Sequence, residues 1–154
     1  LRKLKKKEEK MKKLKAKKVD IAVCWNGLRK TPPKEFLTID DISSAGEVLK
    51  VFRGAVPEFV GLMEEGEKIA LKIGENKATT EERQAFATRS RKIEEEEGGK
   101  EIEIELGDQD FNAFFQQFER WGRDWFFKLE SYLAFREKIN ECNRQPKDKD
   151  VKSK

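Results

Sequence analysis

Asp108, Asp110, Asn112 and Glu119 occupy positions 1, 3, 5 and 12 of a window, with Phe115 at position 8. This is the oxygen-donor spacing of a calcium-binding helix–loop–helix. Such a loop needs glycine at its sixth position for a sharp turn, and the chain has Ala113 there. Phe111, Phe114, Phe115 and Phe118 keep helical spacing through the same window, so Asp108 and Asp110 read more simply as acids at a helix N-terminus. No metal site is assigned.

Gly61 to Lys68, GLMEEGEK, has the glycine spacing of a phosphate-binding loop. Glu67 separates the second glycine from Lys68, Ile69 stands where Ser or Thr should follow, and Glu64 and Glu65 would repel phosphate. With no histidine in the chain, the commonest general base and the commonest zinc ligand are both missing. Cys24 and Cys142 fall on apolar helical faces and read as small buried hydrophobes. The expectation is a protein that is not an enzyme, with no catalytic residue, no cofactor and no small-molecule substrate.

Charge is the next candidate chemistry. Residues 1–18 carry +9 and residues 144–154 carry +3, which leaves −8 on the body within an overall +4. The lysines Lys3, Lys5, Lys6, Lys7, Lys10, Lys12 and Lys13 are the candidate contacts for an anionic partner. They lack interleaved aromatics, and Arg2 is the segment's one arginine, so any nucleic-acid binding would be non-specific. Attraction to an anionic membrane is the better electrostatic reading.

The elements that position these groups follow from apolar spacing. Of the 154 residues 36% are hydrophobic and 42% charged, where about 25% charged is usual, which favours helices packed through narrow stripes. Leu4, Met11, Leu14, Ile21, Trp25 and Leu28 predict one helix over 1–30, thin in its first half and ended by Thr31-Pro32-Pro33. Residues 1–13 add little to this seam, so their loss should cost little stability. A second helix is expected from Thr38–Asp41 to about Glu65, kinked or broken near Gly54 because Pro57 lies within it.

Over 67–107 the period changes. Ile69, Leu71 and Ile73 alternate, as do Ile102, Ile104 and Leu106, which predicts two short strands; between them Thr79-Thr80-Glu81-Glu82 opens a short helix closed by Gly98-Gly99. The last helix is expected from Asp108 or Asp110 to about Cys142. Its aromatic face, Phe114, Phe118, Trp121, Trp125, Phe126 and Phe127, is wider than one stripe and so serves either the core or a partner.

The fold expected is mainly all-α, an elongated bundle of three long helices with a short helix and a two-stranded excursion at 67–107. It divides into a basic helical arm (1–18), a helical bundle domain (19–143) and a basic flexible tail (144–154). The function expected is a helical protein-interaction or assembly domain, part of a larger protein, that binds a protein partner or itself. The alternatives are a membrane-active protein that binds anionic lipid through its arm and rearranges an aromatic amphipathic helix, and a non-specific nucleic-acid binder. Without a signal-peptide pattern or an apolar run near 18 residues, a cytoplasmic or nuclear setting is the default.

Overall fold

The structure is a computed structural model and describes residues 11–145. In chain order it has strand β1 (Met11–Lys17), helix α1 (Lys18–Arg29), a 3-10 turn (Pro33–Glu35), helices α2 (Ile39–Ala55), α3 (Pro57–Gly74) and α4 (Thr80–Glu97), strand β2 (Glu101–Gly107), and helices α5 (Asp108–Trp125) and α6 (Leu129–Asn143). The fold is mostly helical with a two-stranded antiparallel ribbon. The three long helices expected are replaced by shorter ones, because the chain turns at Val56 and again at Phe126–Lys128.

The first correction is at the N-terminus, where residues 11–17 form a strand and not the end of a helical arm. The reason lies in a period of two. Lys12, Leu14 and Ala16 are buried while Met11, Lys13, Lys15 and Lys17 are exposed. Paired antiparallel with β2, the strand sets Leu14 opposite Ile104 and Ala16 opposite Ile102 on the core side. On the outer side Lys13, Lys15 and Lys17 face Glu105, Glu103 and Glu101 in register. Opposite charges across an antiparallel pair contribute roughly 0.2 to 1 kcal/mol each, so three such pairs help fix the register.

Lys12 ties the ribbon to the other end of the chain. It is 1% exposed, and its Nζ donates to the main-chain oxygens of Asn143 at 3.2 Å and Gln145 at 2.9 Å, with that of Cys142 at 3.5 Å. These carbonyls lie at and just past the C-terminus of α6, where the helix dipole favours a cation, and that of Cys142 also accepts from Gln145 N at 3.1 Å. The outer edge of β1 is closed by the Gln145 side chain, which accepts from Lys13 N at 2.8 Å and donates to Lys13 O at 2.7 Å. Residues 11–13 therefore contribute to folding, against the expectation that removing 1–13 would cost little.

Helix α1 starts directly from β1. Its first N–H groups, on Lys18 and Val19, donate to Lys100 O at 2.9 Å and Gly98 O at 3.3 Å, so the approach to β2 acts as its cap. Helix α2 begins as expected, with Thr38 Oγ1 accepting from Asp41 N at 3.0 Å. The expected break is one of two helices, placed at Val56, the residue whose helical geometry a following proline disfavours. Pro57 opens α3, where a missing N–H costs nothing.

The second correction is at Ile69, Leu71 and Ile73, which lie on α3 and not on a strand. The partner they would need is taken, since β2 pairs with β1. The helix closes at a Schellman motif, in which Lys77 N donates to Lys72 O at 2.7 Å and Asn76 N to Ile73 O at 3.0 Å. Asn76 supplies the left-handed residue (φ 58°). Helix α4 carries the expected capping box, Thr79 with Glu82, each side chain holding the other's backbone N–H at 3.0 Å.

The third correction is the last helix, which breaks into α5 and α6 with Phe126 and Lys128 extended between them. Aromatic packing explains the break. In one continuous helix Phe118 and Phe135 would stand about 25 Å apart along the axis. Their rings instead meet edge-on at 5.5 Å, and Phe126 lies 5.6 Å from Phe135. Phe52, Phe114, Phe118 and Phe135 are fully buried in one hydrophobic cluster where α5 lies against α1, α2, α6 and the ribbon. Cys24 and Cys142 are both buried and unbridged, as expected. Burial raises the Cys24 thiol well above its ordinary value, and that of Cys142 to about 11.

Candidate functional site

Helix α4 has no fully buried residue. Phe86 lies over Gly66 of α3, where an added Cβ would sit 3.1 Å from the ring. Ile93 packs half-buried against the core cluster, and charge adds an Arg89–Glu65 ion pair, Lys72 with Glu82 at 2.6 Å, and Lys18 with Glu97 at 2.7 Å. The bond from Lys18 holds the Glu97 carboxyl below its ordinary pKa, with Lys100 adding to the effect.

A groove of about 490 Å³ lies between α1, α3, α4 and the α5–α6 link. Val23, Leu62, Met63, Phe86 and Phe127 supply much of its apolar wall. Phe127 is fully exposed, whereas its neighbour Phe126 is buried. The difference follows from the extended link, in which successive side chains point to opposite sides.

Asp20 is the unusual member of this wall. The residue is 7% exposed, lines the groove, and makes no hydrogen bond or ion pair among the described residues. Burial raises its carboxyl pKa, opposed by the charge of Lys17. Glu94 and Lys128 also line the groove, with Ser90 and Ser131. An apolar trough with one acid that has no protein partner and a few hydroxyls can hold an apolar segment and orient it.

A second cleft, of about 600 Å³, lies across Phe127 between the C-terminal half of α1 and the end of α5. Trp125 lies so close on Gly27 that an added Cβ would be 2.3 Å from its Cγ. Arg120 donates to Glu35 O and Oε1, both at 2.9 Å, and stacks 5.4 Å from the Trp121 ring, which fixes the rim. At Gly122 an added Cβ would meet the Phe118 ring of the same helix at 2.5 Å.

Of the lysines named as an anionic-partner site, Lys3, Lys5, Lys6, Lys7 and Lys10 lie outside the described residues. Lys12 is turned inward onto α6, and Lys13 is exposed opposite Glu105, so these two do not form an open cationic cluster. The aromatic face divides. Phe114, Phe118 and Phe126 belong to the core, Trp121 and Trp125 are half-buried at the second cleft, and Phe127 is exposed between the clefts. Asp108, Asp110 and Asn112 stand on the first turns of a continuous α5. Among the described residues no group of three or more potential ligands could hold a metal ion, and no helix is long and apolar enough to cross a membrane.

Sequence reading missed Asp20, although a signal exists: it is the one charge in the apolar run Val19–Trp25. Comparison with protein-family models, curated proteins and solved structures gave no match for the chain.

Proposed function

We propose that this protein is a non-enzymatic helical interaction domain whose docking surface is the groove between α1, α3, α4 and the α5–α6 link. The occupant is an apolar or amphipathic segment of another polypeptide. The observation that carries the reading is the trough itself, which presents Leu62, Met63 and Phe86 beside a fully exposed Phe127. A grooved surface of this kind receives the apolar face of a helix through anchors at i, i+3, i+4 and i+7. The anionic-membrane reading rests mainly on Lys3, Lys5, Lys6, Lys7 and Lys10, which lie outside the described residues, and it is not the one advanced.

The test is selection of peptides from a random display library on the intact protein, followed by binding to Phe127→Glu. Because Phe127 is outside the core, this variant should fold normally. Enriched peptides with helical apolar spacing that bind Phe127→Glu much more weakly would support the groove. Failure to enrich any peptide, or equal binding to both proteins, would overturn it.

A further inference from the structure

Asp20 stands third in α1, where an acid helps a helix N-terminus, and that role alone would explain an exposed carboxylate. It does not explain this one. The residue is more than nine-tenths buried, lines an apolar groove and has no donor among the described residues. Neither carboxylate oxygen is sealed from solvent, so the acid opens into the groove, and its partial desolvation without a protein partner is still a cost. The charged groups around it do not resolve the matter: Lys17 acts at a distance, Lys128 lines the groove but forms no ion pair with it, and Glu94 adds a second negative charge.

We infer that the groove selects an apolar segment bearing a cationic side chain, an Arg or Lys whose charged head is received by Asp20. The inference rests on the docking reading above and names the chemistry of the partner. Ser90 and Ser131 line the same trough and supply hydroxyls for the remaining N–H groups of a guanidinium, while Leu62, Met63 and Phe86 take the adjoining apolar body. In the absence of the partner Asp20 is then a cost to stability, met when the cation arrives.

The test uses octylguanidinium and the uncharged octan-1-ol as probes of the whole protein, followed by chemical-shift perturbation. Octylguanidinium should perturb Val23, Leu62 and Phe86 and bind at least roughly tenfold more tightly than octanol, the scale of a charge-assisted hydrogen bond. Asp20→Asn should weaken octylguanidinium by a similar factor, leave octanol unchanged, and raise the melting temperature of the unliganded protein. If both probes bind the wild type equally, or Asp20→Asn leaves the guanidinium affinity intact, cation selection is wrong while the groove stands. If neither probe perturbs the groove, the docking reading fails and this inference with it. The wild-type comparison of the two probes decides the matter even if Asp20→Asn does not fold.

Discussion

Lys12 Nζ donates to the main-chain oxygen of Gln145 at 2.9 Å, joining the first described strand to the end of the last helix. The lysine stem is buried beside Phe111, with the ammonium 5.5 Å from the ring. Lys12→Met keeps the stem but removes the donor to the carbonyls of Asn143 and Gln145. The expected loss is about 1 to 3 kcal/mol, read as a lower urea midpoint at unchanged slope. Wild-type stability would mean that water replaces the ammonium freely.

The ribbon makes a separate prediction. Lys15→Glu places like charges opposite each other at Glu103 and should cost up to about 1 kcal/mol. Glu103→Lys should do the same. The double variant restores an opposite pair with the charges exchanged and should recover most of the loss, as a double-mutant cycle would show. Additive losses would place these side chains out of reach of one another.

What the sequence conveyed, and what it did not, follows from the range of each signal. Thr38, the Thr79–Glu82 box and the Pro57 break act through neighbours in the chain, and each was readable from a few residues. The strand 11–17 was not, because Leu4, Met11 and Leu14 also satisfy a helical seam, and its true partner is about ninety residues away at 101–107. The information was present as Lys-x-Lys-x-Lys matched to Glu-x-Glu-x-Glu, a complementarity visible only when the two segments are set side by side. The α5–α6 break carries no proline or glycine between Trp125 and Leu129, since it is set by where Phe135 packs. Asp20 escaped for the same reason: an unpaired acid is defined by what surrounds it in space.

Gly27 is a position where a small residue is required by a neighbour distant in sequence. Alanine there would gain helix propensity of about 1 kcal/mol, but its Cβ would overlap the Trp125 ring at 2.3 to 2.4 Å. Gly27→Ala should therefore be destabilising by about 1 to 3 kcal/mol despite its propensity. In a Trp125→Ala background the same substitution should become neutral or stabilising. A change of sign between the two backgrounds is the measurement that checks the contact.

The acid limb of stability should carry two opposing signs. Glu97 is held below 4.5, first by the bond from Lys18, so its contribution is present above that value and is lost as pH falls through its lowered folded pKa. Asp20 and Asp110 are raised above 3.8 by burial, so their contribution runs the other way, present at low pH and lost as pH rises through the raised folded values. Glu97→Gln should flatten the loss of stability below pH 4.5, whereas Asp20→Asn should add stability chiefly above pH 4. Urea midpoints for the three proteins between pH 3 and 7 would show the two curves diverging from wild type at opposite ends.

Helix α4 should be the first element to open. It buries no residue fully, and two of its tethers, Arg89–Glu65 and Lys72–Glu82, join half-exposed side chains, the kind of pair that is worth little and is screened within about 3 Å at 1 M salt. Helix α5, by contrast, carries Phe111, Phe114 and Phe118 at 0% exposure. Amides of Thr80–Glu97 should therefore exchange with solvent much faster than those of α5, and 1 M sodium chloride should widen the gap. Phe86→Ala removes the one ring seated on Gly66 and should raise α4 exchange further while leaving α5 protection nearly unchanged, because local opening need not cross the global barrier. An apolar segment bound in the groove bridges α4 to α3 and the link, so it should slow α4 exchange selectively. Equal protection of α4 and α5 in the free protein would mean that the helix is held by more than the contacts described.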